Sequence, residues 1–165
     1  MTPTREQLVE AFTFGKCYAM AVALHEETGW PIGVLLADYR DTGRSTDVRR
    51  RAVHAFVLTP NDDVFDARGV SGLDELRNAF FLPNNGRIIE SSWVEECDAV
   101  EDFKTCLVNT EKHLHSKARL RSEIDYFLET TVPAARAASL ELGLVAQFQR
   151  ECDATRRLIT ASLAA

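Results

Sequence analysis

Apolar residues at the start of the chain follow two helical patterns of different character. Residues 5–12 are apolar on one face only and follow Thr4, a good helix cap, which predicts a short amphipathic helix. Residues 17–28 are rich in alanine, contain no Gly or Pro, and are apolar on nearly every side. We therefore expect a helix that runs through the core and ends at Gly29, a residue type favoured just after the last helical turn.

Extended patterns follow this second helix. Residues 32–37 form a short apolar run typical of a buried strand, and residues 53–59 alternate like a strand. Turn-forming residues at 60–63 separate that strand from residues 64–66, so the two segments are expected to form a hairpin. The polar, arginine-rich residues 38–51 are interpreted as a surface loop.

The pattern then becomes mostly helical. A short helix is predicted over 71–81, followed by a turn over 83–86 and a short strand over 87–90. The Ser-x-x-Glu sequence that starts at Ser92 is a capping-box pattern, so a long helix is expected to begin at Ser91 or Ser92.

Composition changes near residue 90. All but one of the eight glycines and all but one of the five prolines lie in residues 1–90, whereas residues 91–165 carry helical patterns with a break expected at Pro133. We predict an α+β core over 1–90 and a helical extension over 91–165. Two helices alone bury too little apolar surface to offset their ordering entropy. The extension is therefore expected to pack on the core, on a partner protein or on a second copy in a homodimer.

Charge and length exclude several classes of protein. Lys and Arg total 19 against 25 Asp and Glu, a net charge of −6, which argues against nucleic-acid binding and against anionic membranes. The longest apolar run, residues 19–24, is far shorter than the ~20 residues that span a bilayer. The first residues have no signal-peptide pattern, and the four cysteines lack metal or dithiol spacing. We expect a cytoplasmic protein with reduced thiols, no metal and no cofactor.

Three residues with reactive side chains occupy suggestive places in the predicted elements. Cys17 begins the core helix, where the helix N-terminus favours a thiolate and free backbone amides can hold an oxyanion. His54 opens one strand of the hairpin and Asp66 closes the other, so folding the hairpin brings the two together. This arrangement predicts a nucleophile, a base and an orienting carboxylate. Each residue also has a structural interpretation: a small buried thiol, a strand-end histidine and a turn cap.

Neighbouring residues are candidates for binding substrate. The amides near Gly15 and Lys16 could hold an oxyanion, and Thr13 is the nearest side-chain donor. Arg49 and Arg50 precede His54 and could bind acidic groups of a substrate, although a solvated loop is the simpler interpretation.

Two further features of the sequence allow more than one interpretation. Trp30 could form a cleft wall or belong to the core. Glu111, His113 and His115 hint at a metal site, but alternate residues of a helix point apart, so no metal is predicted.

The order of these elements resembles that of papain-like and transglutaminase-like thiol enzymes, and more narrowly that of small proteins of bacteria and their mobile elements. The resemblance covers roughly residues 13–90 and is carried by Gly15-x-Cys17, Leu24-His25-x-x-Thr28-Gly29, His54-x-x-Val57 and Asp66-x-x-Gly69. It implies a helix with an N-terminal Cys packed on a small antiparallel sheet. It also implies Cys17 as nucleophile, His54 as base and Asp66 as orienter. The sequence departs from papain-like peptidases in one respect, because its nearest upstream glutamine, Gln7, lies ten residues before the Cys.

The sequence thus predicts thiol-dependent acyl transfer on a protein, peptide or other amide or ester substrate. It leaves open whether the outcome is hydrolysis, deamidation or transfer to an amine. The alternative is a non-enzymatic interaction module of a phage or mobile element, an inhibitor or adaptor, that binds a partner protein through its C-terminal helices.

Overall fold

The computed structural model describes residues 2–42, 47–81, 87–111 and 116–163. Within these ranges the chain forms α1 (Arg5–Phe14), α2 (Cys17–Thr28), β1 (Ile32–Asp41), β2 (Arg49–Leu58), β3 (Val64–Asp66), β4 (Gly69–Ser71), α3 (Leu73–Phe81), β5 (Arg87–Cys97), α4 (Val100–Glu111), α5 (Lys117–Leu142) and α6 (Leu144–Leu163). The fold class is α+β, as predicted. The expected turn over 83–86 and the side chains of His113 and His115 lie outside the described residues.

The described strands form one antiparallel sheet in the order β4-β3-β2-β1-β5. α2 packs against β2 on one face, and α5 in turn packs against α2. On the other face Leu76 of α3 joins Leu35, Phe56 and Val64 in a second, smaller apolar cluster. Strand β2 therefore has apolar layers on both sides.

The central helix is predicted correctly. α2 spans Cys17–Thr28, its residues 19–24 are all buried, and Gly29 ends it in the left-handed conformation at φ 70°. The hairpin is also confirmed, since Val57 lies opposite Phe65 in the pairing of β2 with β3.

The surface loop expected over 38–51 is wrong. β1 continues to Asp41 and β2 begins at Arg49, so both strands extend beyond their apolar residues. Opposite charges explain the extension, because Arg50 lies directly across from Asp38 and pairs with it at 2.8 Å. Cross-strand ion pairs stabilise a ladder as apolar pairs do. A search for apolar alternation does not detect them.

The predicted start of the next helix, at Ser91 or Ser92, is also wrong. Residues 91–97 belong to β5, which pairs with β1 and places Trp93 opposite Leu36. α4 begins only at Val100. The capping-box spacing satisfies a local rule, but pairing with β1 also brings Cys97 into the main core and Trp93 against it. The sheet thus runs past residue 90, where the composition changes.

The helix break expected at Pro133 does not occur. Pro133 lies inside α5, which continues from Lys117 to Leu142 and ends at Gly143 with φ 72°. A proline in a helix interior costs ~3 kcal/mol. Burial of Val132 and Ala135 in the main core offsets that cost.

Two smaller boundaries differ by a few residues. α1 extends to Phe14, and Thr4 caps it as expected through reciprocal bonds with Gln7. Ser71 ends β4, so α3 begins later than predicted, at Leu73. No helix in the described ranges combines the length and apolarity needed to cross a membrane.

Candidate active site

Cys17 is the first residue of α2 and is half-buried. α1 ends immediately before it, with Gly15 as its cap residue, and Lys16 is the cap residue of α2. The Lys16 side chain makes no capping hydrogen bond to α2 within the described structure. The first amides of a helix have no partner inside the helix, so backbone donors remain close to the thiol.

His54 lies beside an irregularity in β2. Leu35 and Leu36 of β1 are consecutive, yet they pair with His54 and Ala52, so Val53 is an extra residue in the ladder. Such bulges bend a strand and redirect its side chains, often next to functional sites. The imidazole that follows the bulge is fully buried.

The backbone at Ala52 is held by side chains of two helices. The Tyr18 hydroxyl of α2 donates to the Ala52 carbonyl at 3.4 Å, and the Ala52 N–H donates to Oε1 of Glu111 in α4 at 3.2 Å. Burial, and then the charges of Cys17 and Glu111, raise the pKa of Tyr18, so its hydroxyl stays protonated and able to donate. These two contacts, which we call the Ala52 clamp, fix the strand just before His54.

Asp66 holds the imidazole from the end of β3. Nε2 of His54 donates to Oδ2 of Asp66 at 2.8 Å. The backbone N–H of Arg68 donates to Oδ1 at 2.8 Å, and Nη2 of Arg68 donates to Oδ2 at 2.7 Å. Burial opposes ionisation of this carboxyl, but the hydrogen bonds from His54 and Arg68 outweigh it and lower the pKa of Asp66. Because a carboxylate only accepts hydrogen bonds, Nε2 carries the hydrogen.

The other imidazole nitrogen of His54, Nδ1, is not bound by Asp66. Nδ1 of His54 is buried and lies outside hydrogen-bonding geometry with every described residue. Cys17 nevertheless acts on the ring: burial alone would lower the pKa of His54, but the hydrogen bond to Asp66, the nearby Cys17 thiol and the charges of both residues raise it. Catalytic hydrogen bonds are often long until substrate binds. The structure thus brings Cys17, His54 and Asp66 together.

A pocket of about 320 Å³ opens at the thiol. Its described lining residues are Thr13, Phe14, Gly15, Cys17, Tyr18, Val53 and Phe80. The Phe80 ring stacks on His54 with centroids 4.5 Å apart, and Phe14 lies 5.5 Å from Phe80. Thr13 and Gly15, both predicted to position substrate, are therefore at the site, whereas Lys16 is not among the described lining residues. The prediction that the Gly15 and Lys16 amides hold an oxyanion is wrong, because both donate to the Ala11 carbonyl at the end of α1.

Trp30 is not brought to this pocket. It follows the end of α2 opposite to Cys17, and a helix of 12 residues is ~18 Å long. Its ring packs edge-on against Phe65 and Phe148, at 6.0 and 4.9 Å. Its role in the described structure is to dock α6 on the core.

Arg49 and Arg50 also lie away from the thiol. Arg50 precedes His54 by four residues, roughly 13 Å along a strand, and its guanidinium binds Asp38 and stacks 4.6 Å from the Trp93 ring. Arg49 lies 3.7 Å from Asp41. Their charges support the extended ladder of β1 and β2.

Two residues at the site were missed by the sequence analysis. Arg68 holds Asp66, and Phe80 stacks on the imidazole of His54. The first had a detectable signal, because an Asp often accepts a hydrogen bond from the backbone N–H two residues later. The second had none, since Phe80 reaches His54 only through the packing of α3.

No protein-family model, curated protein or solved structure matches the chain. Among the described residues, no group of three His, Cys, Asp or Glu side chains is placed to hold a metal ion.

Proposed function

We propose that the protein is a thiol-dependent acyl-transfer enzyme in which Cys17 is the nucleophile, His54 the base and Asp66 the orienting carboxylate. The observation that supports this most directly is the buried His54–Asp66 pair beside a thiol at a helix N-terminus. A structural histidine would not need its second ring nitrogen buried without a well-formed hydrogen bond.

The chemistry follows from these positions. His54 accepts the thiol proton at Nδ1, and the Cys17 sulfur forms a bond to the carbonyl carbon of an amide or ester. The imidazolium, stabilised by Asp66, returns the proton to the leaving amine or alcohol as its bond to that carbon breaks. A thioester remains on Cys17, and water or an amine then resolves it by the same steps. Hydrolysis, deamidation and transfer differ only in the leaving group and in the second nucleophile.

The oxyanion of the tetrahedral intermediate would be held by backbone donors. The thiol belongs to the first residue of α2, where the helix amides have no intrahelical partner, and the Lys16 side chain does not cap them. Aligned helix amides favour negative charge at this position. One donor of this kind is worth ~3–4 kcal/mol in acyl transfer, so backbone amides can serve without the upstream Gln of papain-like peptidases.

We further propose that the core is related to papain-like and transglutaminase-like enzymes and acts on a peptide or other amide in the cytoplasm. The fold proposal is supported by a Cys at the start of a helix that packs on an antiparallel sheet bearing the His and Asp. The location is supported by four cysteines that are all free, because disulfides are rare in reducing compartments.

The test is a burst of acylation with p-nitrophenyl acetate. The wild-type protein should release one equivalent of nitrophenol rapidly and carry an acetyl group on Cys17, detected by mass spectrometry of peptides. Cys17→Ala should abolish the burst, and His54→Ala should slow it strongly. Cys152→Ala removes another half-buried thiol, on α6, and should leave the burst intact. Equal reaction of all four thiols, or a burst that survives Cys17→Ala, would favour the non-enzymatic interaction module.

A further inference from the structure

We infer that the pocket beside Cys17 accepts an uncharged acyl group with an apolar body and hydrogen-bonds one of its atoms through the Thr13 hydroxyl. This inference rests on the proposed function and names the class of substrate for the same site. Its basis is the chemistry of the pocket lining and a buried hydroxyl that has no partner among the described residues.

Four of the seven described residues that line the pocket are aromatic or aliphatic, and polar and apolar atoms contribute about equally to its surface. Phe14, Val53 and Phe80 present carbon atoms only, and Tyr18 turns its single polar atom to the Ala52 carbonyl. Among the described lining residues, none carries a formal charge. A charged acyl chain would lose hydration against these rings without a counter-ion in return, which is strongly unfavourable.

Two cationic groups near the site are already engaged. The Arg68 guanidinium binds Asp66 at 2.7 Å, and the Lys16 ammonium lies 5.6 Å from the Phe12 ring. Arg51 is a third cation whose charge acts on Tyr18. None of the three is among the residues that line the pocket in the described structure, so an acidic group seated there would have no cationic side chain in the lining.

Thr13 supplies the polar feature of the pocket. Its side chain is 1% exposed, and its hydroxyl has no hydrogen-bond partner among the described residues. A buried hydroxyl without a partner lowers stability, so the group calls for an explanation, and a partner that binds from solution would supply one. A substrate carbonyl or amide seated beside Cys17 would satisfy it.

The first test compares three p-nitrophenyl esters of similar shape: those of phenylacetic acid, para-carbamoylphenylacetic acid and para-carboxyphenylacetic acid. The ring keeps the distal group away from the ester, so that group cannot assist the reaction. We expect the wild-type kcat/KM for the two neutral esters to exceed that for the carboxylate by about 100-fold. If kcat/KM for the carboxylate ester equals that for the neutral esters, the inference is wrong. The burst with p-nitrophenyl acetate tests the proposed function separately, so the two failures can be distinguished.

A second test supplies the missing counter-ion. Phe14 is 67% exposed at the pocket, so Phe14→Lys should fold and should raise kcat/KM for the carboxylate ester about tenfold. Leu140→Lys is the matched control, because Leu140 is 68% exposed and lies near Glu27, at the opposite end of α2 from Cys17. It should leave all three values unchanged. No gain in Phe14→Lys, or an equal gain in both variants, contradicts an apolar pocket at this place.

The third test isolates the Thr13 hydroxyl. Thr13→Val keeps the shape and should lower kcat/KM for the neutral esters about tenfold, while Thr13→Ser restores most of it. The melting temperature of Thr13→Val should equal or exceed that of the wild type, because an unsatisfied hydroxyl has been removed. A purely structural threonine would instead show a lower melting temperature. If kcat/KM of Thr13→Val for the neutral esters equals that of the wild type, the proposed role of the hydroxyl is wrong. If Thr13→Val does not fold, Thr13→Ala replaces it in the same comparison.

Discussion

Nε2 of His54 lies 2.8 Å from Oδ2 of Asp66, and neither residue is more than 2% exposed. The pair joins β2 to β3 at the point where the sheet meets the start of α2. A buried pair of this kind is destabilising when only one member is removed, because the other loses its partner without regaining water. Stability and reactivity are therefore expected to depend on the same contact.

Asp66→Asn tests this contact directly. The amide cannot balance the imidazolium or Arg68, so we expect a loss of ~3–5 kcal/mol in the free energy of unfolding. We also expect kcat for ester hydrolysis to fall about 10²–10⁴-fold. Urea denaturation and initial rates measure the two effects. Asp62→Asn makes the same chemical change in the exposed turn of the hairpin, at φ 62°, which Asn tolerates. Similar losses in both variants would contradict a special role for Asp66.

The pH dependence of stability follows from two pKa shifts of opposite kind. The pKa of Asp66 is lowered, so its contribution is fully present above the unfolded value of ~3.9 and is lost as pH falls through the folded value. The pKa of His54 is raised, so its contribution is fully present below the unfolded value of ~6.5 and is lost as pH rises through the folded value. The free energy of unfolding, measured by urea denaturation at a series of pH values, should be highest between those limits.

Arg68→Met tests the acidic side of this dependence of stability on pH. Without the guanidinium, the pKa of Asp66 moves back toward its ordinary range, so the acidic loss of stability should begin at a higher pH than in the wild type. Arg119→Met is the control, since Arg119 belongs to an exposed ion pair with Glu123 on α5. An acidic limb that is identical in the two variants would show that Arg68 does not act on Asp66.

Gly33→Ala probes the support behind the imidazole. A Cβ at Gly33 would lie 2.4 Å from the Phe56 ring, and that ring stacks 6.1 Å from His54. Displacing a buried ring usually costs ~1–3 kcal/mol, and we expect kcat to fall with stability. Gly72→Ala is a matched control, because a Cβ there meets nothing within 4 Å. Thermal denaturation measures the stability of both variants. A melting temperature of Gly33→Ala equal to that of the wild type would contradict the close packing of Phe56.

The Ala52 clamp gives a prediction for the C-terminal part of the chain. Glu111→Ala leaves the Ala52 N–H without its acceptor, a cost of ~1–3 kcal/mol that should appear largely as a loss of kcat. Glu111→Gln retains an oxygen at the same place and should preserve most of the activity. The kinetic comparison is made on p-nitrophenyl acetate. If the Gln and Ala variants lose activity equally, the charge of Glu111 matters rather than its hydrogen bond to Ala52.

The parts of the fold that the sequence predicts well are those set by local rules. α2 follows from an uninterrupted apolar run closed by Gly29, and the β2–β3 hairpin follows from alternation around a clear turn. The approach of His54 to Asp66 then follows from folding that hairpin. These features need no knowledge of distant contacts.

The errors arise where distant contacts decide the structure. Residues 91–97 satisfy a local helix signal but pair with β1, and the extended ends of β1 and β2 depend on charges such as Asp38 and Arg50 facing each other. Phe80 reaches the imidazole only because α3 covers the outer face of the sheet. None of these partners is close in the sequence.

The Ala52 clamp has a consequence for how this chain can be recombined. A chimera that replaced everything after β5 with other helices of the same volume would fill the core and still take an acceptor away from the strand that carries His54. A replacement for these helices would therefore need an acceptor at the position of Glu111 Oε1 to keep the hydrogen bond to Ala52. A segment that carries none of the proposed reactive groups thereby supplies a contact to the strand on which the imidazole lies.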